Sequence, residues 1–210
     1  MSGTPALTAG LTEAQRQSVR AAVVALEAAE EPVAAFGFGA LSDPALRRAV
    51  AVELEAAGRA LIECGRGYWL SGYPDEIADK LVAEKLGVLE ANDRAVLALV
   101  LLHTVAIPRA RGRIHSGDWT EAVPTDIETL KRNRHLSEHE ISESLRRLRL
   151  AGIIPARQRG RIEPGPQFLR LSGARSSRIW EELLLVAQPE GPLARLIRRR
   201  RAEAAEAGAA

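Results

Sequence analysis

Apolar residues recur at helical spacing near the start of the chain. Val19, Val23 and Leu26 lie three or four positions apart, which places them on one face of a helix. Thr12 is followed three residues later by Gln15, the pairing of a capping box. These positions predict an amphipathic helix that begins directly after Thr12.

A second helix and a β-hairpin are predicted to follow. Asp43 and Pro44 have the residue types of an N-cap and a first helical position. After that helix, two apolar runs, Leu61–Cys64 and Tyr68–Leu70, flank the loop Gly65-Arg66-Gly67. Apolar runs separated by a short glycine-containing loop are typical of a hairpin.

A further helix completes the first half of the chain. Pro74 is placed to open it, and Gly87 is placed to close it. The predicted order is therefore helix, short element, helix, hairpin and helix. That order is typical of a winged helix with a degenerate second helix.

The second half predicts a similar order. Asp93 is interpreted as the N-cap of an apolar helix over Ala95–Val105. Two further capping boxes are predicted to open two more helices, and their residues are Thr125 with Glu128 and Ser137 with Glu140.

A second hairpin and a closing helix are predicted to follow. The hairpin pairs Ile153-Ile154 with Arg161-Ile162, and the helix covers Ser172–Val186. The fold class expected is mainly α with small β-hairpin wings, arranged as two tandem winged-helix domains. Their boundaries are 11–88 and 89–188, and 189–210 forms a basic, flexible tail.

Composition narrows the function classes. Cys64 is the one cysteine among 210 residues, which excludes internal disulfides and fits the cytoplasm. No run of 18 apolar residues occurs, so no membrane contact is expected. Residues 11–88 hold 8 basic and 12 acidic side chains, whereas residues 89–188 hold 16 basic and 12 acidic ones. This asymmetry indicates two modules with different partners.

The search for catalytic motifs gives no enzyme class and no cofactor. The chain has no phosphate-binding glycine loop and no Gly-x-Ser-x-Gly sequence. His135 to His139 match the His-x-x-Glu-His pattern of some zinc peptidases, but Ser137 as an N-cap would put His135 outside the helix. We therefore expect two solvated histidines and no metal. Cys64 has no adjacent histidine and is expected to be a buried small apolar residue.

Arginines in three places are candidates for nucleic-acid binding. They lie in the predicted second wing, after Pro108, and in the tail. Alternating arginines share one face of a strand and can neutralise phosphates along a groove, although a solvated turn is the alternative. The candidates are Arg157, Arg159 and Arg161; Arg109, Arg111 and Arg113; and Arg198, Arg199, Arg200 and Arg201.

The first turns of the predicted recognition helix indicate weak binding. A DNA reader contacts bases through the N-terminal residues of that helix. Here those residues are Glu138, His139, Glu140 and Glu143. Three carboxylates would repel phosphates, so the expected DNA contact is with the backbone and independent of sequence.

Two stretches resemble the tandem winged-helix subunits that bind the kleisin of SMC complexes, the ScpB and MukE-like families. They are RGYWLSGYPDEIADKL, as first wing plus closing helix, and ANDRAVLALVLLHTVAIPRARG, as the first helix of the second module. The resemblance lies in the order and spacing of elements over residues 12–188. It implies a noncatalytic, nucleoid-associated subunit of a condensin-like complex, acting in chromosome organisation or plasmid defence with a kleisin or another protein subunit as partner.

A second function class stays open, namely a free-standing winged-helix transcriptional regulator. Self-association is expected in addition, because the stretch AVLALVLLHTVA is apolar almost all round. Such a helix is either buried within its own chain or covered by another chain. A two-fold homodimer is the simplest arrangement.

Overall fold

The computed structural model describes residues 10–114, 119–156 and 160–208. The chain is mainly helical, with a small three-stranded antiparallel sheet. It divides into two compact units. Unit 1 comprises Met1–Val88 together with Leu169–Ser172, and unit 2 comprises Leu89–Phe168 together with Gly173–Ala210.

Unit 1 is built from short helices and the sheet. Its described helices and strands are α1 (Glu13–Ala28), β1 (Val33–Ala34), α2 (Gly39–Ser42), α3 (Pro44–Ala56), β2 (Ala60–Glu63), β3 (Tyr68–Gly72) and α4 (Asp75–Ala83), with a 3₁₀ turn at Ala35–Gly37. The core forms where α1 and α3 bury Leu26, Val50 and Leu54 against Leu41 of α2.

The helix starts predicted in unit 1 are confirmed. Thr12 and Gln15 form the reciprocal capping box of α1. The Asp43 carboxylate accepts hydrogen bonds from the first turn of α3, and Pro44 is its first residue. Each of these N-caps joins residues that are only two or three positions apart in the chain. The sequence alone can therefore predict it.

The predicted first hairpin is also confirmed. β2 and β3 pair antiparallel, with Ala60 opposite Gly72 and Glu63 opposite Trp69. Gly65 and Gly67 in the connecting loop have φ of 125° and 79°, values that favour glycine. β1 pairs with the other edge of β3, so the strand order is β1-β3-β2.

Unit 2 has no strand in its described part. Its described helices are α5 (Ala91–Leu101), α6 (Ile107–Ala110), α7 (Ile127–Lys131), α8 (Glu138–Leu150), α9 (Gly173–Ala187) and α10 (Pro192–Gly208). Two 3₁₀ turns lie at Trp119–Glu121 and Pro166–Arg170, and the latter ends within unit 1. The core of unit 2 packs Val96 and Val100 of α5 against Leu145 and Leu148 of α8.

A continuous helix covers 91–110, because a π-helical turn over Leu102–Ala106 joins α5 to α6. Its N-cap is Glu90, not Asp93 as predicted. Asp93 lies in the first turn instead, where it is buried. By length and composition alone, this 20-residue helix could cross a bilayer, a criterion that core helices also satisfy.

The second predicted hairpin is wrong for the described residues. Ile162 forms a two-way backbone bridge with Thr125, at 2.8 and 2.9 Å, and does not pair with Ile153-Ile154. The amides of Ile153 and Ile154 bond to the carbonyl of Leu148 at the end of α8, which takes them out of any ladder. Thr125 in turn is not the N-cap of α7; Asp126 caps it.

The C-terminal residues differ from the predicted flexible tail. Most of them form α10, which buries Ala194 and Ile197. The residues after Ile197 are exposed as far as Ala207. The early apolar positions therefore anchor a helix whose later turns are held by polar contacts.

Candidate nucleic-acid interface

Helices α7 and α8 each begin with a side-chain N-cap. Asp126 begins α7 by accepting a hydrogen bond from the amide of Thr129 at 2.7 Å. Ser137 begins α8 with the predicted capping box, in which its amide donates to Glu140 Oε2 at 2.8 Å. Because Ser137 is the N-cap, His135 precedes the helix as expected.

The carboxylates at the start of α8 are engaged by neighbours. Glu140 accepts from the backbone of Ser137 and from Asn92 Nδ2 at 3.1 Å, and the Ser137 hydrogen bond holds the pKa of Glu140 below its usual value. Glu138 lies 3.0 Å from the ammonium of Lys131, a contact that raises the pKa of that lysine. Both carboxylates of the first turn are thus paired within their own unit.

Farther along α8 the same pattern continues. Glu143 bonds to Arg146 at 2.9 Å, which lowers the pKa of the carboxyl. Arg147 places a guanidinium fork on buried Asp93 of α5, with Nε to Oδ2 at 2.9 Å and Nη2 to Oδ1 at 2.6 Å. The arginine at this position of α8 therefore fixes α8 to α5.

Only part of the predicted second wing lies within the described residues. Arg157 and Arg159 fall outside them. Arg161 is exposed beside the Thr125–Ile162 bridge. The described ends of this loop are held by the amide of Gly165, which donates to Ile153 O at 2.8 Å. The prediction that three arginines share one strand face rested on the hairpin and is not retained.

The arginines after Pro108 are separated by the structure. Arg109 lies in α6 with its guanidinium carbon 4.5 Å from the ring centroid of Trp180. Trp180 stacks on Trp119 at 4.9 Å in an aromatic cluster of unit 2. Arg111 and Arg113 are exposed in the turn that follows α6. Arg109 thus serves packing, whereas the other two are accessible to a ligand.

The basic run in α10 makes bonds within its own unit. Arg200 and Arg201 both pair with Glu181 of α9, and the Arg201 contact is 2.9 Å. Arg198 donates to the carbonyl of Pro189 at 2.7 Å. Arg199 Nε lies 3.7 Å from Glu203 Oε1. All four arginines of the run are therefore paired with groups of the same chain.

Unit 1 has three arginines on α3 and in the hairpin loop. Arg47 of α3 donates to the carbonyl of Leu41 and covers the ring of Trp69, so it is structural. Arg48 on α3 and Arg66 in the hairpin loop are exposed. Both could reach a phosphate backbone.

No group of three potential metal ligands occurs among the described residues. Cys64 follows β2, is half-buried, and donates its S–H to the carbonyl of Leu169 at 3.3 Å. Sequence reasoning missed this partner and the Asp93–Arg147 fork. The one signal for the fork was Asp93 itself, the acidic residue of a largely apolar helix.

No protein-family model matches this chain, and no curated protein matches it.

Proposed function

We propose that the chain is a noncatalytic adaptor of DNA-associated complexes, acting at the nucleoid as an accessory subunit of an SMC-type assembly. The resemblance to kleisin-binding subunits motivates this proposal. The element order of unit 1, in which α2–α3 are followed by the β2–β3 hairpin, supports a winged helix there. The α7–α8 pair supports a helix-turn-helix in unit 2, so the tandem winged-helix arrangement is part of the proposal.

The observation that carries the proposal is the paired state of the α8 carboxylates. A base reader needs free donors at the start of its recognition helix. Here Glu138 and Glu140 are both bonded within their own unit. DNA contact is therefore left to exposed arginines outside the helix, and it involves phosphates.

A salt titration tests this contact. Binding of random-sequence duplexes by fluorescence anisotropy should weaken with salt, because each neutralised phosphate contributes about 0.9 to the logarithmic slope. Replacing Arg111, Arg113 and Arg161 by alanine should reduce the slope by about 3 if each contacts one phosphate. The matched control replaces Arg198, Arg200 and Arg201, which removes the same charge from paired positions and should leave the slope unchanged. Absence of binding at low salt would contradict the proposal.

The alternative function is a free-standing transcriptional regulator. The exposed Arg48 of α3 and Arg66 of the hairpin loop favour it, since both occupy surfaces that winged helices present to DNA. A strong preference for one sequence over random duplex, abolished by replacing these two arginines, would establish this alternative.

Protein partners belong to the proposal as well. The 91–110 helix buries Val96, Val100 and Val105, while Leu97 and Leu102 are half-buried. Apolar side chains of unit 2 remain exposed on other helices, including Val186 at 68% and Leu196 at 50%. We propose a homodimer with a second interface for a kleisin or another protein subunit. Sedimentation velocity at micromolar concentration tests the dimer, and a strict monomer would contradict it.

A further inference from the structure

The four residues Leu169–Ser172, here called the strap, belong to unit 1, although their chain neighbours Phe168 and Gly173 belong to unit 2. The strap joins unit 1 through side-chain hydrogen bonds and a close backbone approach, and within the described residues it forms no ladder hydrogen bond with a strand.

Arg170 is the anchor of the strap. Its Nη1 donates to the carbonyl of Ser71 in β3 at 2.6 Å, and its Nη2 donates to the carbonyl of Ala29. Ala29 is the C-cap of α1, where helix carbonyls carry a negative partial charge. A guanidinium fork spans these two acceptors, whereas a lysine ammonium provides only a single point of contact.

The backbone of the strap fits against a glycine. A Cβ built on Gly72 would lie 2.5 Å from the carbonyl oxygen of Arg170, closer than packed atoms approach. At the two ends of the strap, Leu169 O accepts the S–H of Cys64 at 3.3 Å, and the Ser172 hydroxyl donates to Asp75 at 2.8 Å. Unit 1 therefore recognises a side chain, a backbone stretch and a hydroxyl.

Docking of the strap leaves Arg170 incompletely satisfied. Its Nε is buried without a hydrogen-bond partner among the described residues. Burial lowers the pKa of this arginine, and the charge of Arg59 nearby acts in the same direction. A buried cation with one unpaired donor costs free energy, which offsets part of the stabilisation from the two hydrogen bonds of Arg170.

We propose that unit 1 carries a recognition site for a short segment whose arginine ends a 3₁₀ turn, that the strap fills this site in cis, and that a peptide of the same chemistry can replace it. The matching peptide has apolar residues on both sides of the arginine and a hydroxyl two residues after it. The acidic excess of residues 11–88 complements such a basic segment. The tether gives the strap a high effective concentration, so a free peptide competes poorly for the site while Arg170 is intact. This inference is independent of the proposed DNA contact.

Cys64 provides the readout, because it is the single thiol and its S–H contacts the strap. Its rate of reaction with a disulfide reagent is measured on the full chain at neutral pH. Arg170→Ala should raise this rate at least tenfold, as should Gly72→Ala. The control Arg178→Ala removes an exposed arginine from α9 and should leave the rate unchanged.

Rescue in trans distinguishes a recognition site from a loss of structure. Millimolar peptide PQFLRLSGA, the sequence of residues 166–174, should return the Arg170→Ala variant toward the wild-type rate. The same peptide with alanine in place of arginine should not. Gly72→Ala should stay reactive with either peptide, because the added Cβ blocks the site.

If the Arg170→Ala variant does not fold, the same measurements are made on Arg170→Lys. It keeps the positive charge, loses the two-carbonyl span and should be rescued by the same peptide. An unchanged thiol rate in Arg170→Ala would overturn the proposal. So would failure of the native peptide to protect Cys64 in a folded Arg170 variant.

Discussion

Asp93→Asn should destabilise unit 2 while preserving the shape of the side chain. Asp93 is 4% exposed and accepts the guanidinium of Arg147 on both carboxylate oxygens. Hydrogen bonds to charged groups contribute about 1.5–3 kcal/mol, and leaving a buried charge without its partner costs about 3–5 kcal/mol. The Arg147 side chain is 37% exposed and lies 4.0 Å from Glu90, so water and that carboxylate compensate in part. We expect a loss of about 2 kcal/mol, a factor of about 30 in the unfolding constant.

The pH dependence gives this prediction a sign. The Arg147 hydrogen bond holds the pKa of Asp93 below its ordinary value. A carboxyl whose pKa is depressed in the folded state contributes stability above its unfolded pKa, and this stability is lost as the pH falls through the folded pKa. The difference in the free energy of unfolding between wild type and Asp93→Asn should therefore have its full value at pH 7. It should become smaller below about pH 4.

Urea unfolding in a Trp69→Phe background measures the effect. The chain has 3 tryptophans, and this change leaves Trp119 and Trp180 of unit 2 as reporters. Glu190→Gln removes an exposed carboxylate and is the matched control. A difference below about 0.5 kcal/mol at pH 7, the usual range of surface substitutions, would refute the reasoning. A difference in unfolding free energy that stays the same in acid would refute it as well.

Two further changes probe other parts of unit 2. Ser137→Ala removes the hydroxyl that accepts a hydrogen bond from the amide of Glu140, and it should lower the free energy of unfolding by about 1 kcal/mol. Calorimetry should show this loss as a lower Tm. A Tm equal to that of the exposed control Ser142→Ala would argue against the cap. Leu145→Ala opens the buried contact between α8 and α5 and should cost about 2–5 kcal/mol in urea unfolding. A loss of unfolding free energy no larger than that of the exposed Leu150→Ala would show that the structure closes the cavity at Leu145 without penalty.

The features that the sequence predicted correctly are local. The capping box of Ser137 and the N-cap of Asp43 join residues two or three positions apart, and the first hairpin joins strands across a short loop. The features it missed join distant residues. Arg147 and Asp93 are 54 positions apart, and Arg170 is 99 from Ser71. A pattern of spacing contains no information about which distant residue supplies the partner.

The candidate interface shows the same division. The carboxylates of α8 were predicted from their place at a helix start. The arginines of the predicted wing and those after Pro108 were instead grouped by their alternation, and for the wing this assumed a strand. Because Ile162 pairs with Thr125, no hairpin forms between the described ends of that loop. Arg109 packs on the ring of Trp180 instead. The alternation of arginines along the sequence does not predict this contact.

The strap also has a consequence for how the chain is synthesised. Residues 1–88 are translated about 80 residues before Leu169. At about 5–20 residues per second, the ribosome needs roughly 4–16 s to cover that interval. During those seconds Ala29 and Ser71 have been synthesised, whereas Arg170, which bonds to the carbonyls of both, has not. The order of translation therefore gives any arginine-bearing segment nearby a first opportunity at the site, before the chain's own residue emerges.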